Sequence, residues 1–256
     1  LKDGIIRCVG DAGQRFDEDA LRMLRAVRFA GQLGFEIEDE TRNAIVKRAD
    51  RLENISAERI RVELTKLLVA KEAGRLRDAY GTGMTRYFLP ELDKAMVTEQ
   101  KNPHHVYTVG EHSIHGIEIM NCFFEVTSDR KMYDKVPEKV MITAKKIAKK
   151  MNKKQHTILC MAMLLHDIAK PVVMTIDDDG IGHFYGHPQE SEKMAKKIMR
   201  RLTFDNESIS KVCRLVKFHD YRIEDSDRAF RRAVSKIGAD IMDMLFLVEY
   251  ADVLSQ

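Results

Sequence analysis

Apolar residues recur every three or four positions along most of this chain, which is the spacing of amphipathic helices. From residue 17 the pattern continues to Gly34, where a helix of this kind is expected to end. The same spacing predicts a second helix over 39–52 and a third over 56–71, with Ser56 as its N-cap. Further helices are predicted over 108–124, 188–202, 206–219, 227–236 and 238–254. We therefore expect a mostly helical protein.

Three short segments have a pattern that is typical of β-strands. Residues 1–16 contain Ile5 and Ile6 and are closed by turn-forming glycines. Residues 172–176 and 182–185 flank a tight acidic turn, which predicts a small hairpin. The predicted fold class is all-α, a helical bundle with one small β-hairpin.

The stretch HTILCMAMLLHD, residues 156–167, is apolar on all sides, which is typical of a helix in the core of a domain. No window reaches 18 apolar residues, so the sequence predicts no membrane span. The amino-terminal lead lacks the apolar core of a signal peptide. The four cysteines form no CxxC pair, which favours reduced thiols. Together these features predict a cytoplasmic protein.

The charge balance permits contact with nucleic acid without arguing for it. At about 150 residues per domain, a chain of 256 residues corresponds to one large domain or two modest ones. The residues include 43 Lys and Arg against 40 Asp and Glu, a formal charge of +3. Basic residues are concentrated in 129–154. Their spacing favours a solvated helix face, and the alternative is a contact with the phosphate backbone of tRNA.

The strongest chemical signal is the doublet His166-Asp167, which ends the apolar stretch. A buried, ionised aspartate is costly unless it is paired or bound to a cation, and Lys170 is its nearest basic neighbour. Taken alone, the doublet favours a capping aspartate beside a core histidine. Further nitrogen and oxygen donors near other predicted helix ends and faces change that balance, namely His112, His187, His219 and Asp252. Helical bundles build interior metal sites from such donors, and this mixture suits a borderline or hard divalent ion.

The order His112, His166-Asp167, Asp252 resembles the HD superfamily of metal-dependent phosphohydrolases. The resemblance implies that these four residues are metal ligands, and that His187 and His219 bind a second metal or phosphate. It also implies that His166 and Asp167 are catalytic through the bound Mg²⁺, Mn²⁺ or another transition metal, which activates water. Lys170 is then a third catalytic residue, as a phosphate contact. His105 is a further candidate, and a solvent-exposed histidine is an equally good interpretation of it.

The segment RFDEDALRMLRAVRFAGQLGF, residues 15–35, resembles bacterial tRNA nucleotidyltransferases (CCA-adding enzymes) and poly(A) polymerases. The segments ISAERIRVELTKLL and FLPEL are similar to their neck helices. In that family an E-D-x-x-R motif reads the base of CTP or ATP, which implies nucleotide binding by Asp19, Arg22 and Arg25. Spacing alone favours a row of exposed ion pairs instead. Arg59 is expected either to brace this helix or to lie on the surface.

The resemblance covers nearly the whole chain and divides it into two domains. Residues 1–95 correspond to the end of the catalytic head with the neck and body, and residues 96–256 to an HD domain. The Asp-x-Asp motifs that are present lie in the wrong contexts for a transferase head, so we expect a C-terminal fragment that does not add nucleotides unaided.

The function that follows is CCA addition to tRNA, or polyadenylation of RNA, by the parent enzyme, together with metal-dependent phosphoester hydrolysis by the HD domain. The expected partners are tRNA or another RNA and a nucleotide or phosphoester substrate. Two alternatives stay open, a free-standing HD nucleotide or cyclic-nucleotide phosphohydrolase and a non-catalytic RNA-binding module. The sequence does not predict the oligomeric state.

Overall fold

The computed structural model describes residues 3–101, 106–126 and 136–256. Helices make up most of these residues, and the strands are only two residues long. The predicted all-α fold class is therefore confirmed. The basic positions 130, 131 and 135, and the candidate His105, lie outside the described residues.

The first part of the chain consists of short helices joined by short loops, as expected. Its α-helices are α1 (Ala12–Glu18), α2 (Leu21–Leu33), α3 (Asp39–Val46), α4 (Ala57–Leu68), α5 (Leu76–Gly81), α6 (Thr85–Phe88) and α7 (Pro90–Val97). Two 3-10 helices, Ala49–Asn54 and Ala73–Arg75, and two strands, β1 (Ile5–Ile6) and β2 (Glu36–Ile37), complete it.

The second part contains longer helices around one central helix. Its α-helices are α8 (Val109–Phe123), α9 (Glu138–Ala148), α10 (Lys153–Leu165), α11 (Lys170–Val173), α12 (His187–Arg201), α13 (Asn206–Phe218), α14 (Asp227–Ile237) and α15 (Met242–Leu254). Strands β3 (Thr175–Ile176) and β4 (Gly182–His183) lie between α11 and α12, and a 3-10 helix, Ala239–Ile241, precedes α15.

The helix predicted from residue 17 to Gly34 is interrupted at its start. Helix α1 begins earlier because the Asp11 side chain accepts the Gln14 N–H. It ends at Glu18, and the Asp19 carboxylate accepts the N–H of Leu21, the first residue of α2. Gly34 ends α2 in the left-handed conformation with φ of 69°, as predicted.

The predicted hairpin is present, and a second strand pair accompanies it. Strands β3 and β4 pair antiparallel, with Thr175 opposite His183. The amino-terminal lead instead pairs in parallel with β2, with Ile5 opposite Glu36. That pairing joins residues far apart in the chain, so no local pattern predicts it.

Helix α10 forms the centre of the core. It packs against α8, α13 and α15, and it also contacts α4 of the first part. Its residues 158–165 are all buried, which explains why the stretch is apolar on every side. The segment Lys153–Val173 is long and apolar enough to cross a membrane, with a mean hydropathy of 1.3, but 78% of that window is buried inside the protein, as in a core helix. This core positions the doublet at the carboxyl end of α10.

Candidate metal centre

Five helices bring the predicted donors to one place. The doublet follows α10, with His166 as its C-cap and Asp167 next to it, and both are almost completely buried. The remaining donors come from α8 (His112), the start of α12 (His187), the end of α13 (His219) and the last turn of α15 (Asp252). The structure therefore brings together all six residues that the sequence singled out.

One group of donors consists of His112, His166 and Asp252. The Nε2 atoms of the two histidines are 3.1 Å apart. The Asp252 Oδ1 atom lies 2.8 Å from Nε2 of His112 and 3.3 Å from Nε2 of His166. All three donor atoms lie within the distances at which a single cation could contact them.

A second group is arranged around the carboxylate of Asp167. Its Oδ2 atom is 3.3 Å from Nε2 of His166, and its Oδ1 atom is 3.2 Å from Nε2 of His187 and 3.6 Å from Nε2 of His219. Within the described part of the chain, Asp167 Oδ1 is buried and accepts no hydrogen bond of proper geometry. The two groups share His166 and therefore form one continuous cluster.

The other ring nitrogen of each histidine faces a main-chain carbonyl. For His166 the acceptor is Met163 O at 2.8 Å, for His187 Phe184 O at 2.9 Å, and for His219 Val216 O at 2.7 Å. His112 Nδ1 lies 3.3 Å from Ser255 O in the same way. A carbonyl only accepts, so each Nδ1 carries a proton, and each Nε2 faces into the cluster, where in the neutral ring it offers a lone pair.

This tautomer leaves lone pairs facing one another. Two neutral imidazole nitrogens 3.1 Å apart repel unless a proton or a cation lies between them. Imidazole and carboxylate donors with engaged outer nitrogens are the usual environment of a divalent ion. The residues that are present therefore fit such an ion.

The pKa shifts of the cluster also indicate that it favours a bound positive charge. Burial alone lowers the pKa of His166, but the carboxylates of Asp167 and Asp252 outweigh it and raise that pKa to about 10. Although burial raises the pKa of both carboxyl groups, the neighbouring histidines, and Lys170 beside Asp167, lower both below the usual range.

His156, a core histidine on α10, differs from His166 in its partners and in the direction of its pKa shift. His156 of α10 is also buried, but its Nε2 bonds the Asn121 side-chain oxygen at 2.7 Å and its ring stacks on Phe124. Burial lowers its pKa to about 4, because no carboxylate compensates for the lost hydration. A buried histidine alone is therefore not a metal signal, and the convergence of several is.

Lys170 completes the floor of the site. Its Nζ atom donates to Asp167 Oδ2 at 2.6 Å and to Gln100 Oε1 at 2.8 Å, and the side chain is buried. A cavity of about 430 Å³ opens onto this floor, and residues from several segments line it, among them Asp167, Lys170, Tyr185, His219, Arg222 and Asp252. Sequence reasoning missed Gln100, Tyr185, Arg222 and Ser255, which lie in loops or at a helix end and carry no periodic signal.

The predicted nucleotide-binding residues lie apart from this cluster. Asp19 accepts from Arg59 Nη2 at 2.8 Å, and Arg22 donates to the Arg15 carbonyl and pairs with Glu18. The Asp19 and Arg22 side chains thus have different partners. A separate cavity of about 190 Å³ is lined by Arg22 and Arg25, together with Arg7, Cys8, Phe16 and Phe29.

Within the basic stretch 129–154, some of the described lysines form ion pairs and others do not. Lys145 pairs with Glu125, and Lys154 pairs with Asp205 and Glu207. Five other lysines are exposed and make no ion pair with any described residue, namely Lys139, Lys146, Lys149, Lys150 and Lys153. This is a solvated face with free positive charge, which leaves both sequence interpretations open.

Comparison with known protein families finds one match in each part of the chain. Residues 34–96 match the family described as "Probable RNA and SrmB- binding site of polymerase A", and residues 137–255 match the HD domain. His112 precedes the matched HD segment but belongs to the same cluster.

Among curated relatives, the chain is 55% identical over 75 residues to a CCA-adding enzyme of Leuconostoc mesenteroides subsp. mesenteroides, covering 29% of this chain and 19% of that enzyme. It is 51% identical over 88 residues to the CCA-adding enzyme of Ligilactobacillus salivarius, covering 34% of this chain and 22% of that enzyme. The resemblance to tRNA nucleotidyltransferases is thereby confirmed, as is the HD domain.

Solved structures agree at the level of the fold. A CCA-adding enzyme in complex with ATP superposes with a TM-score of 0.53 and 18% identity over 98% of this chain and 46% of that one. The complex with CTP gives a TM-score of 0.51 and 17% identity over 98% and 47%. The chain thus spans about half the length of these enzymes.

Proposed function

We propose that this chain belongs to a cytoplasmic bacterial protein of the tRNA nucleotidyltransferase type, acting in CCA addition to tRNA or in its repair, and that its HD domain hydrolyses phosphoesters. The relatives described above support the first part. We also propose that the two regions are 1–95 and 96–256; the end of α7 at Val97 and the matched segments 34–96 and 137–255 support a boundary within two residues of this position.

The observation that carries the hydrolase proposal is the set of inward-facing Nε2 lone pairs. We assign His112, His166, Asp167 and Asp252 as ligands of a divalent ion, with His187 and His219 as ligands of a second ion or as phosphate contacts. When bound, the ion supplies activated water and withdraws charge from a phosphoryl oxygen.

The protein side chains then bind and orient the substrate. Lys170 uses two of its three donors on Asp167 and Gln100, so one N–H is left for a phosphate oxygen in the cavity. Because the Lys170 side chain is buried, its ammonium group acts on the phosphate with little screening by water. Arg222 lines the same cavity and supplies a second positive charge at its wall.

The test measures metal content and hydrolysis of bis(p-nitrophenyl) phosphate together. In the wild-type chain we expect bound divalent metal and turnover, and in Asp167→Ala the loss of both. Asp243→Asn is the matched control, because Asp243 is an exposed carboxylate on α15, the helix that carries Asp252. A folded wild-type protein with neither metal nor turnover contradicts the hydrolase and favours the non-catalytic RNA-binding module.

We further propose that CTP and ATP bind at α2 through Asp19, Arg22 and Arg25. Three arginines in one cavity, Arg7, Arg22 and Arg25, suit a nucleotide, and Arg59 holds Asp19 in place. Calorimetric titration of CTP into the wild-type chain and Arg25→Ala tests this. Arg25 pairs with the buried Glu63, which Arg28 also neutralises, so this variant keeps its buried carboxylate paired. Equal affinities of the two proteins contradict the assignment.

A further inference from the structure

Tyr185 stands exposed beside the cavity above the metal centre. Its side chain is 79% accessible, although most aromatic residues of the described chain are at least partly buried. It lines the same cavity as Asp167 and Lys170. The hydrolase proposal gives this ring no task, and an aromatic face left in water is available for stacking.

The ring is held in place by the hairpin beneath it. The imidazole of His183 on β4 lies nearly parallel to it, at an interplanar angle of 5° and a centroid distance of 5.4 Å. His183 Nε2 is in turn 2.7 Å from Asp177 Oδ2 across the hairpin. The other oxygen of Asp177 accepts the N–H groups of Asp179 and Ile181, which fixes the turn. The exposed ring therefore rests on an ordered support.

Tyr185 is separated by only one residue of the chain from His187, which belongs to the metal centre. Gly186 follows Tyr185 with φ of 75°, a left-handed conformation that turns the chain into α12. His187 is the first residue of α12, and its Nε2 lies 3.2 Å from Asp167. The aromatic face and the buried cluster thus share one short, tightly turned segment.

Arg222 provides charge elsewhere on the same cavity. Its exposed guanidinium makes no hydrogen bond or ion pair with the described residues. The cavity of about 430 Å³ is within the range of roughly 300–1,000 Å³ of small-ligand sites. A ligand with an aromatic ring and a phosphate matches the aromatic face, the cationic wall and the buried donors at once.

We propose that Tyr185 is a specificity-determining residue that stacks on the nucleobase of the substrate, so that the HD site prefers nucleoside phosphoesters to base-free ones. This deepens the proposed hydrolase and rests on it. Stacking on a tyrosine face tolerates any base, so the preference is for the presence of a base and not for its identity.

The experiment compares two non-hydrolysable ligands that differ only by the base, adenosine 5′-phosphonate and ribose 5-phosphonate. Their affinities for the Mn²⁺-loaded chain are measured by calorimetry for wild type, Tyr185→Ala and Tyr185→Phe. We expect Tyr185→Ala to weaken binding of the adenosine ligand about 10-fold and to leave the ribose ligand unchanged. Tyr185→Phe keeps the ring and should bind as wild type does. Phe230→Ala removes another exposed ring, on α14, and is the matched control.

Two results overturn the proposal: equal losses for both ligands in Tyr185→Ala, which indicate a merely structural role, and no preference for the adenosine ligand in the wild type. Turnover of bis(p-nitrophenyl) phosphate is measured in parallel. A base preference without turnover overturns the hydrolase while the stacking site stands, and turnover without a base preference overturns only the stacking site.

Discussion

The two predicted sites of this chain differ in how their charged groups are paired. At the start of α2, Glu18 and Arg22, and Asp19 and Arg59, form ion pairs at or near the surface. At the end of α10, the Nε2 atoms of His112 and His166 face each other in a buried cluster, and Asp167 Oδ1 accepts no proper hydrogen bond from described residues. Satisfied surface charges do not require a ligand, whereas a buried carboxylate oxygen that accepts no hydrogen bond does.

The largest expected effect comes from removing a buried cation. In Lys170→Met, Asp167 loses a partner at 2.6 Å while it stays buried. We expect the chelated protein to lose about 3–5 kcal/mol of unfolding free energy, measured in urea. Lys193→Met breaks a pair of the same i,i+3 spacing on the surface, with Glu190, and should leave the urea midpoint unchanged. Equal urea midpoints for Lys170→Met and Lys193→Met would contradict the claim that the buried site depends more strongly on its ion pair than the surface does.

The pH dependence of stability should differ between metal-free and metal-loaded protein. The pKa of His166 is raised to about 10, so its protonation stabilises the metal-free fold fully below the unfolded value of about 6.5. That stabilisation is lost as the pH rises through about 10. Bound metal takes the place of the proton, so the increase in Tm on adding Mn²⁺ should grow between about pH 7.5 and 10.

The range from about pH 7.5 to 10 lies above the pKa of the other strongly shifted group near the cluster, Glu249. Burial, with Asp252 and Asp220 close by, raises the pKa of Glu249 to about 7, and its titration is then nearly complete at the lower limit. Thermal unfolding in chelator and in Mn²⁺ provides the measurement. A Tm difference that does not change with pH shows that the cluster binds proton and metal independently.

A smaller effect is expected from the support behind a ligand. Ser255 Oγ lies 3.1 Å from His112 Nδ1, and Ser255 is buried. Ser255→Ala keeps the main-chain carbonyl that fixes the tautomer, so we expect metal affinity to fall about 10-fold, at the low end for such second contacts. Competition with a fluorescent chelator measures it. An unchanged affinity assigns the orientation of His112 to the carbonyl alone.

The smallest effect is expected at α2. Arg59→Ala removes a pair in which the Arg59 side chain is 46% exposed, so stability should change by no more than about 1 kcal/mol. If Arg59 positions Asp19, CTP affinity falls in this variant although Tm does not. A large loss of Tm would show that the Arg59–Asp19 pair contributes as much to stability as the buried cluster does, and would contradict the difference between the two sites.

Much of the candidate centre could be predicted because its residue types carry strong signals. A His-Asp doublet at the end of an all-apolar stretch marks a buried charge, and α10 places it in the core as expected. Gly34 likewise ends α2 because the left-handed conformation favours glycine. Such features depend on local spacing and on burial, which a single sequence expresses.

The rest depends on contacts between distant segments. The break at Asp19 depends on capping at Asp11 and Asp19, which the continuous apolar period conceals. The pairing of β1 with β2 and the meeting of Gln100 with Lys170 join residues far apart in sequence. Tyr185 gains its place from a two-residue strand and a glycine turn, where no periodicity exists.

The most direct test of the account is anomalous diffraction from crystals of this chain soaked in Mn²⁺, recorded on both sides of the manganese edge. We predict a peak in bonding contact with Nε2 of His112 and His166 and with the carboxylates of Asp167 and Asp252. The absence of a peak at a cluster whose side chains keep the arrangement described above would contradict the metal centre and the hydrolase built on it.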